Sequence, residues 1–201
     1  MSAGQDPYTA VNNDDPNVKQ KVDGLLGVIK SVGTAMLTTR APDSEELHSR
    51  AMYPSSIDHL KFTFFGNVES GKFDGIEKDK HVNISYYNSD NTSWVSIAGV
   101  ANISNDRERI KELYSPHLKA WFGDLGDGKH TGEADDPRIE LIEVTPKEIR
   151  YFVEQKNIVT KSIDIVTSAV TGSVAQPGKL VVLNGHELET AKKIVGATVK
   201  V

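Results

Sequence analysis

The hydrophobic pattern of the chain changes period near residue 34. Val18, Val22, Leu25, Leu26 and Ile29 recur at helical spacing. Asp15-Pro16 ahead of them offers an N-cap with proline at the first helical position, and Ser31-Val32-Gly33 a stop. The sixteen residues at the start read as a flexible lead-in. From Thr34 the period is two. TAMLTTR (34–40), ELHSRAMY (46–53) and LKFTFF (60–65) are short, β-branched or aromatic, and divided by polar turns at 41–44 and 55–58. HVNISYY (81–87), SWVSIAGVANIS (93–104), IELIEVT (139–145) and EIRYFVE (148–154) continue the alternation, about seven strands in all. This spacing favours an antiparallel barrel or sandwich over βαβ units.

Two helical insertions interrupt the strands: 70–79, which buries Phe73 and Ile76, and 106–122, with Ile110, Leu113, Tyr114 and Leu118 on one side. The Gly- and Asp-rich stretch 123–137 is loop. Beyond Val159 the pattern weakens, with a short helix at 187–195. The layout expected is a lead-in (1–16), one mainly β domain with peripheral helices (17–155), and an extension (156–201) that packs on the barrel or on a partner.

Composition narrows the function classes. The chain has 201 residues, 38% of them hydrophobic, with 23 Lys and Arg against 28 Asp and Glu. A net charge of -5 argues against non-specific nucleic-acid binding. The absence of cysteine excludes disulfides, thiolate metal sites and a Cys nucleophile. The N-terminus is polar and acidic rather than a secretory signal, and no apolar run is long enough for a membrane span. A cytoplasmic protein is expected, with the sequons at Asn83, Asn91 and Asn102 unused. Histidines 48, 59, 81, 117, 130 and 186 lack the i, i+4 spacing of a helical zinc site, and the acidic residues of 124–136 lack EF-hand spacing, so no metal is expected.

Residues 66–73, GNVESGKF, match the front of a P-loop, but Phe73 stands where a Mg²⁺-binding Ser or Thr belongs. The antiparallel pattern also disfavours that fold. Ser70 and Lys72 still open a helix, beside free N–H groups and a positive dipole end suited to an anion. The same residues equally read as an N-cap serine and a solvated lysine. Arg50 adds a second signal. HSRAMYP puts His48, Arg50 and Met52 on one strand face, opposite Leu47, Ser49, Ala51 and Tyr53. Were that face covered, the arginine would need an anion. Hairpin neighbours would then gather Arg50, Ser70 and Lys72 into one phosphate pocket.

Several segments, taken in order, resemble a known family: MLTTR (36–40), SRAM (49–52), LKFTFF (60–65), ESGK (69–72), HVNISY (81–86), SWVSIAGVA (93–101), DRERIKELYSPHLKAWF (106–122) and DDPRIELIEVTP (135–146). Together they are similar to the FMN-binding split-barrel superfamily, in its general-stress-protein branch related to pyridoxamine 5'-phosphate oxidase. The fungal blue-light-inducible proteins are the group most alike. The resemblance implies a six-stranded antiparallel split β-barrel that forms a homodimer, with FMN in grooves at the subunit interface. It implies a flavin phosphate held by Arg50, Ser70, Gly71 and Lys72. The ring would lie along Arg50, Ala51, Met52 and Tyr53 and along Phe64, Phe65 and Gly66. Trp94 and Ser96 would reach it from the partner chain, and Trp121 and Phe122 would lie near it. GNVESGKF then needs no Mg²⁺ ligand, and Phe73 anchors its helix.

Two departures limit the carry-over. Gly71-Lys72 stand where the oxidase tends to have two basic residues, and nothing after Val159 resembles its substrate-binding arginine segment. Vitamin B6 oxidation is therefore not expected. The resemblance leaves open an FMN-dependent oxidoreductase, a non-catalytic flavin carrier or sensor in stress or light response, and a deazaflavin-dependent reductase. No catalytic acid or base stands out. No G-x-G-x-x-G follows a strand, so NAD(P)H would be a transient reductant.

Overall fold

The computed structural model describes residues 6–155, 168, 171 and 173–196. Helix α1 (Pro7–Asn12) occupies part of the expected lead-in, capped by Asp6. Asn12 is buried and donates to the Tyr8 and Ala175 carbonyls, which ties this segment down. Helix α2 (Val18–Val32) begins two residues later than the Asp15-Pro16 signal indicates. Asn17 and Gln20 form a reciprocal capping box, which satisfies two otherwise orphaned N–H groups. Its Val22, Leu25, Val28 and Ile29 enter the core.

The strands are β1 (Ala35–Arg40), β2 (Leu47–Met52), β3 (Ser56–Asp58), β4 (Lys61–Asn67), β5 (His81–Tyr87), β6 (Trp94–Ser104), β7 (Ile139–Glu154) and β8 (Gly178–Asn184). They form one antiparallel sheet in the order β2-β1-β5-β6-β7-β4-β3, with β8 on the remaining edge of β7. Two features depart from the sequence expectation. Residues 56–58, expected as turn, pair with β4. The turn itself is His59-Leu60, both at positive φ as a two-residue hairpin requires. Leu60 pays for that conformation by complete burial.

The two strands predicted at 139–145 and 148–154 are a single strand. β6 follows it from Leu141 to Phe152 through a bulge, where Ala98 faces Glu148 and Gly99 faces Pro146. On its other edge β4 pairs with 139–144 and β8 with 148–154. Pro146, which has no N–H to donate, thus falls where the partner changes.

The predicted helix 106–122 breaks at Pro116 into α4 (Arg107–Leu113), a 3-10 turn (Pro116–Leu118) and α5 (Lys119–Phe122). Its Ile110 and Leu113 nonetheless share a second apolar cluster with Phe65, Ile139 and Leu141, and Tyr114, Leu118 and Phe122 pack on it. The described tail is integral to the fold. Val181 and Leu183 of β8 join the main core with Leu188 and Ala191 of α6 (Gly185–Val195). Lys21 of α2 is buried beneath it, and its ammonium meets Glu187, Asp15 and the Val182 carbonyl.

Helix α3 (Lys72–Lys78) reveals how the sheet curls. β1 and β4 are four positions apart, roughly 19 Å in a flat sheet. Yet α3, about 10 Å across, touches both. Gly75 lies so close to the Arg40 carbonyl that no Cβ would fit, and a Cβ on Gly66 would meet the Phe73 ring at 2.6 Å. The sheet therefore bends into a barrel that is open between β1 and β4, and α3 plugs the opening. No described helix is long and apolar enough to cross a membrane.

Candidate functional site

At the split, β1, β2 and the start of α3 enclose a cleft of about 410 Å³ lined by Thr39, Arg40, His48, Arg50, Ser70 and Lys72, among others. Strand register explains its composition. Leu37 pairs with Arg50 and Thr39 with His48, so Arg50 and His48 share the inward face of β1. β2 is an edge strand, so this end of the inward face opens into the cleft instead of closing on a neighbour.

Arg50 is half-buried and donates to the Thr39 hydroxyl at 2.9 Å. Lys72 donates to Ser70 Oγ, and that hydroxyl donates to the Asn67 carbonyl at 2.6 Å. Ser70 is therefore not the helix cap, which is Gly71; it anchors the lysine. The Lys72 ammonium also lies 5.5 Å from the Phe73 ring centroid. Burial pushes the Arg50 guanidinium down from its ordinary pKa. Lys72 is lowered by burial and then by the Arg50 charge. Among the described residues no carboxylate pairs with either cation. Two partly desolvated positive charges held together without a counter-ion make an anion site.

The remaining predicted residues divide by position. Gly66 backs the cleft through contact with the Lys72 stem and the Phe73 ring. Met52 is half-buried on the Arg50 face, and Tyr53 beyond it is 70% exposed. The Phe64 side chain is wholly in the main core and that of Phe65 in the second cluster, leaving their backbone for a ligand. Trp121 is 84% exposed, and Phe122 packs on the second cluster; neither lines the cleft.

Ala51, Trp94 and Ser96 point to the opposite face of the sheet. There Ala51, Met36, Ser85 and Ser96 stand side by side across four strands, and Tyr87 faces Trp94. Ser96 accepts from the Asn83 amide at 2.9 Å, while Met36 and Tyr87 are left exposed. One chain thus holds its site candidates on two faces that cannot meet.

Thr39, Arg40 and His48 line the cleft but escaped sequence reasoning. The signal was available: a β1–β2 hairpin in register puts Thr39 against His48 beside Arg50. Asp136 and Arg138 were also missed. Both are buried, and Arg138 bonds Asp136 through two nitrogens while holding the Phe122 and Gly123 carbonyls.

A curled antiparallel barrel, plugged by a short helix and bearing paired cations at its split, is the architecture of a split-barrel protein. The chain belongs to the pyridoxamine 5'-phosphate oxidase-like family, whose model matches residues 20–176. It is 38% identical over 188 residues to protein bli-3 of Neurospora crassa, covering 92% of this chain and 90% of that one. It is 30% identical over 141 residues to general stress protein 26 of Bacillus subtilis, covering 68% and 89%. Among solved structures, a Clostridium acetobutylicum protein related to general stress protein 26 superposes with a TM-score of 0.57 at 18% identity, over 70% of this chain and 93% of that one.

Proposed function

We propose that this protein binds FMN non-covalently as a homodimer and serves as a flavin-dependent oxidoreductase for a small molecule. The observation that carries the reading is the Arg50–Lys72 cation pair, with which no carboxylate among the described residues pairs. Arg50 and Lys72, with Ser70 positioning the lysine, fit a phosphate monoester, and the family context supports a flavin above it.

In this reading the barrel of residues 17–155 is the binding unit, and the described β8 and α6 of the 156–201 extension complete its packing; residues 156–167 lie outside the described residues. Met52 and Tyr53 and the backbone of Phe64–Gly66 would lie along the ring. Trp94 and Ser96 would reach it from the second subunit, because in their own chain they face away from the cleft. Met36 and Tyr87, exposed on that same face, would then be covered. The flavin would supply hydride chemistry, and the chain's groups would hold its phosphate, orient its ring and exclude water. A nicotinamide or another small reductant would bind only transiently.

Gel filtration of purified protein with FMN, read by visible absorbance, tests this proposal. Flavin bands co-eluting with a dimer are expected, and Met36→Glu should reduce both the dimer and the retained flavin. A protein that retains no FMN would overturn the cofactor, and one that retains it as a monomer would overturn the shared groove. NAD(P)H oxidation by the flavin-loaded protein separates turnover from a carrier or sensor role.

A further inference from the structure

We infer that the Asn184–Gly185 bond, between β8 and α6, is a site of spontaneous deamidation that loosens the docking of α6 as the protein ages. Asn184 is the only asparagine in the sequence followed by glycine. Both residues are exposed, and among the described residues no atom beyond its own turn of helix lies within 4 Å of where a Cβ on Gly185 would stand. With no side chain on that neighbour, nothing blocks the asparagine's amide carbon from the next backbone nitrogen.

Asn184 and Glu187 have the spacing of a capping box, the motif that Asn17 and Gln20 complete on α2. On α6 the box is not made. Glu187 turns instead to the buried Lys21 ammonium, with both carboxylate oxygens at 2.9 Å, and the Asn184 side chain accepts no cap bond. The Gly185 N–H, first in the helix, has no partner within it. Other asparagines are held or crowded. Asn17, Asn67, Asn88 and Asn91 accept from backbone N–H groups. Asn13, Asn102 and Asn105, exposed like Asn184, precede the larger Asp14, Ile103 and Asp106.

The reaction consumes only water. The Gly185 nitrogen gives up its proton and bonds to Asn184 Cγ. The Cγ–Nδ2 bond breaks, and the amide leaves with that proton as ammonia. Water then opens the five-membered imide at either carbonyl. Opening at Cγ yields aspartate, whose charge suits a helix N-terminus. Opening at the main-chain carbonyl yields isoaspartate, whose chain runs through Cβ and Cγ and is one methylene longer. That insertion displaces α6 from β8, where Leu188 and Ala191 fill the core and Glu187 offsets Lys21.

Tryptic mapping of the full chain during storage in mildly alkaline buffer tests this. The peptide Leu180–Lys192 should gain one mass unit and split into two forms, ahead of any change in the peptide carrying Asn88. The stored protein should develop a second, lower melting transition. Asn184→Ser, which keeps a capping side chain, should not, and Asn184→Asp should melt like the fresh protein. Conversion at Asn184 no faster than at Asn88 would overturn the site. Equal loss of stability in stored Asn184→Ser would remove it as the cause, and a converted protein that melts as before would overturn the loosening of α6.

Discussion

Arg50 and Lys72 face one cleft, where burial and then the Arg50 charge lower the Lys72 pKa and no described carboxylate offsets either cation. The two come from different elements, a strand and a helix start, and each gives up hydration to be there. Such an arrangement costs stability unless an anion completes it.

Removing either cation should therefore weaken the holoprotein and relieve the apoprotein. Arg50→Ala and Lys72→Ala should each reduce FMN affinity by about 1–3 kcal/mol, the worth of a charge-assisted hydrogen bond. Thr145→Ala, far from the cleft, should not. Isothermal titration checks the affinities, and equal FMN affinity in all three variants would remove the phosphate pocket.

The same pair predicts a pH profile. Lys72 must be charged to hold the phosphate, and its folded pKa is lowered below the ordinary 10.5 by burial and then by Arg50. Affinity should fall as pH rises through that lowered value, before an ordinary lysine would titrate. On the acid side it should weaken as the phosphate dianion takes up a proton and becomes a monoanion near about pH 6. In Lys72→Arg the alkaline limb should move upward, because guanidinium stays charged. An alkaline limb unmoved by that substitution would assign it to another group.

What was legible in the sequence follows from how local the determining physics is. β5 matches its predicted bounds because Val82, Ile84 and Tyr86 alternate with exposed positions over a single buried face. β3, β8 and α1 were not legible, since their pairing is decided by distant partners: Ser56 by Thr63, Leu183 by Ile149, Asn12 by Ala175. Pro146-Lys147 looked like a turn, because a bulge inside a continuous strand leaves the same local signature. In the cleft, Ser70 and Lys72 stood out by spacing and Arg50 by its place in a strand. Thr39 did not, because a threonine on a strand gains meaning only once hairpin register sets it beside an arginine.

The buried Asp136–Arg138 pair, which the sequence presents as ordinary loop charge, should govern acid stability. Burial raises the Asp136 pKa, but hydrogen bonds from Arg138 and from the Gly132 and Arg138 N–H groups outweigh it and hold the carboxyl at about 2. A depressed folded pKa contributes stability above the unfolded value and loses it on acidification. The loss should therefore run from about pH 4 down to about pH 2 and amount to roughly 2 kcal/mol. Urea melts across that range check it: Asp136→Asn should be less stable at neutral pH and show a flatter acid limb. An unchanged limb would place the proton uptake elsewhere.

Removing the tail should be far more damaging than its position at the chain terminus implies. β8 covers one edge of β7 from Glu148 to Glu154, and Val181, Leu183, Leu188 and Ala191 supply main-core packing against α2 and the barrel. Truncation after residue 177 would expose Tyr151 and Phe152 and strip Lys21 of Glu187 and the Val182 carbonyl. Losing the burial of Val181, Leu183 and Leu188, each worth about 1.5–3 kcal/mol, removes an amount comparable to the whole stability of a typical domain, about 5–15 kcal/mol. The truncated chain should therefore be unfolded by circular dichroism and hydrogen exchange. A cooperative melt near that of the full protein would show that the barrel folds without it.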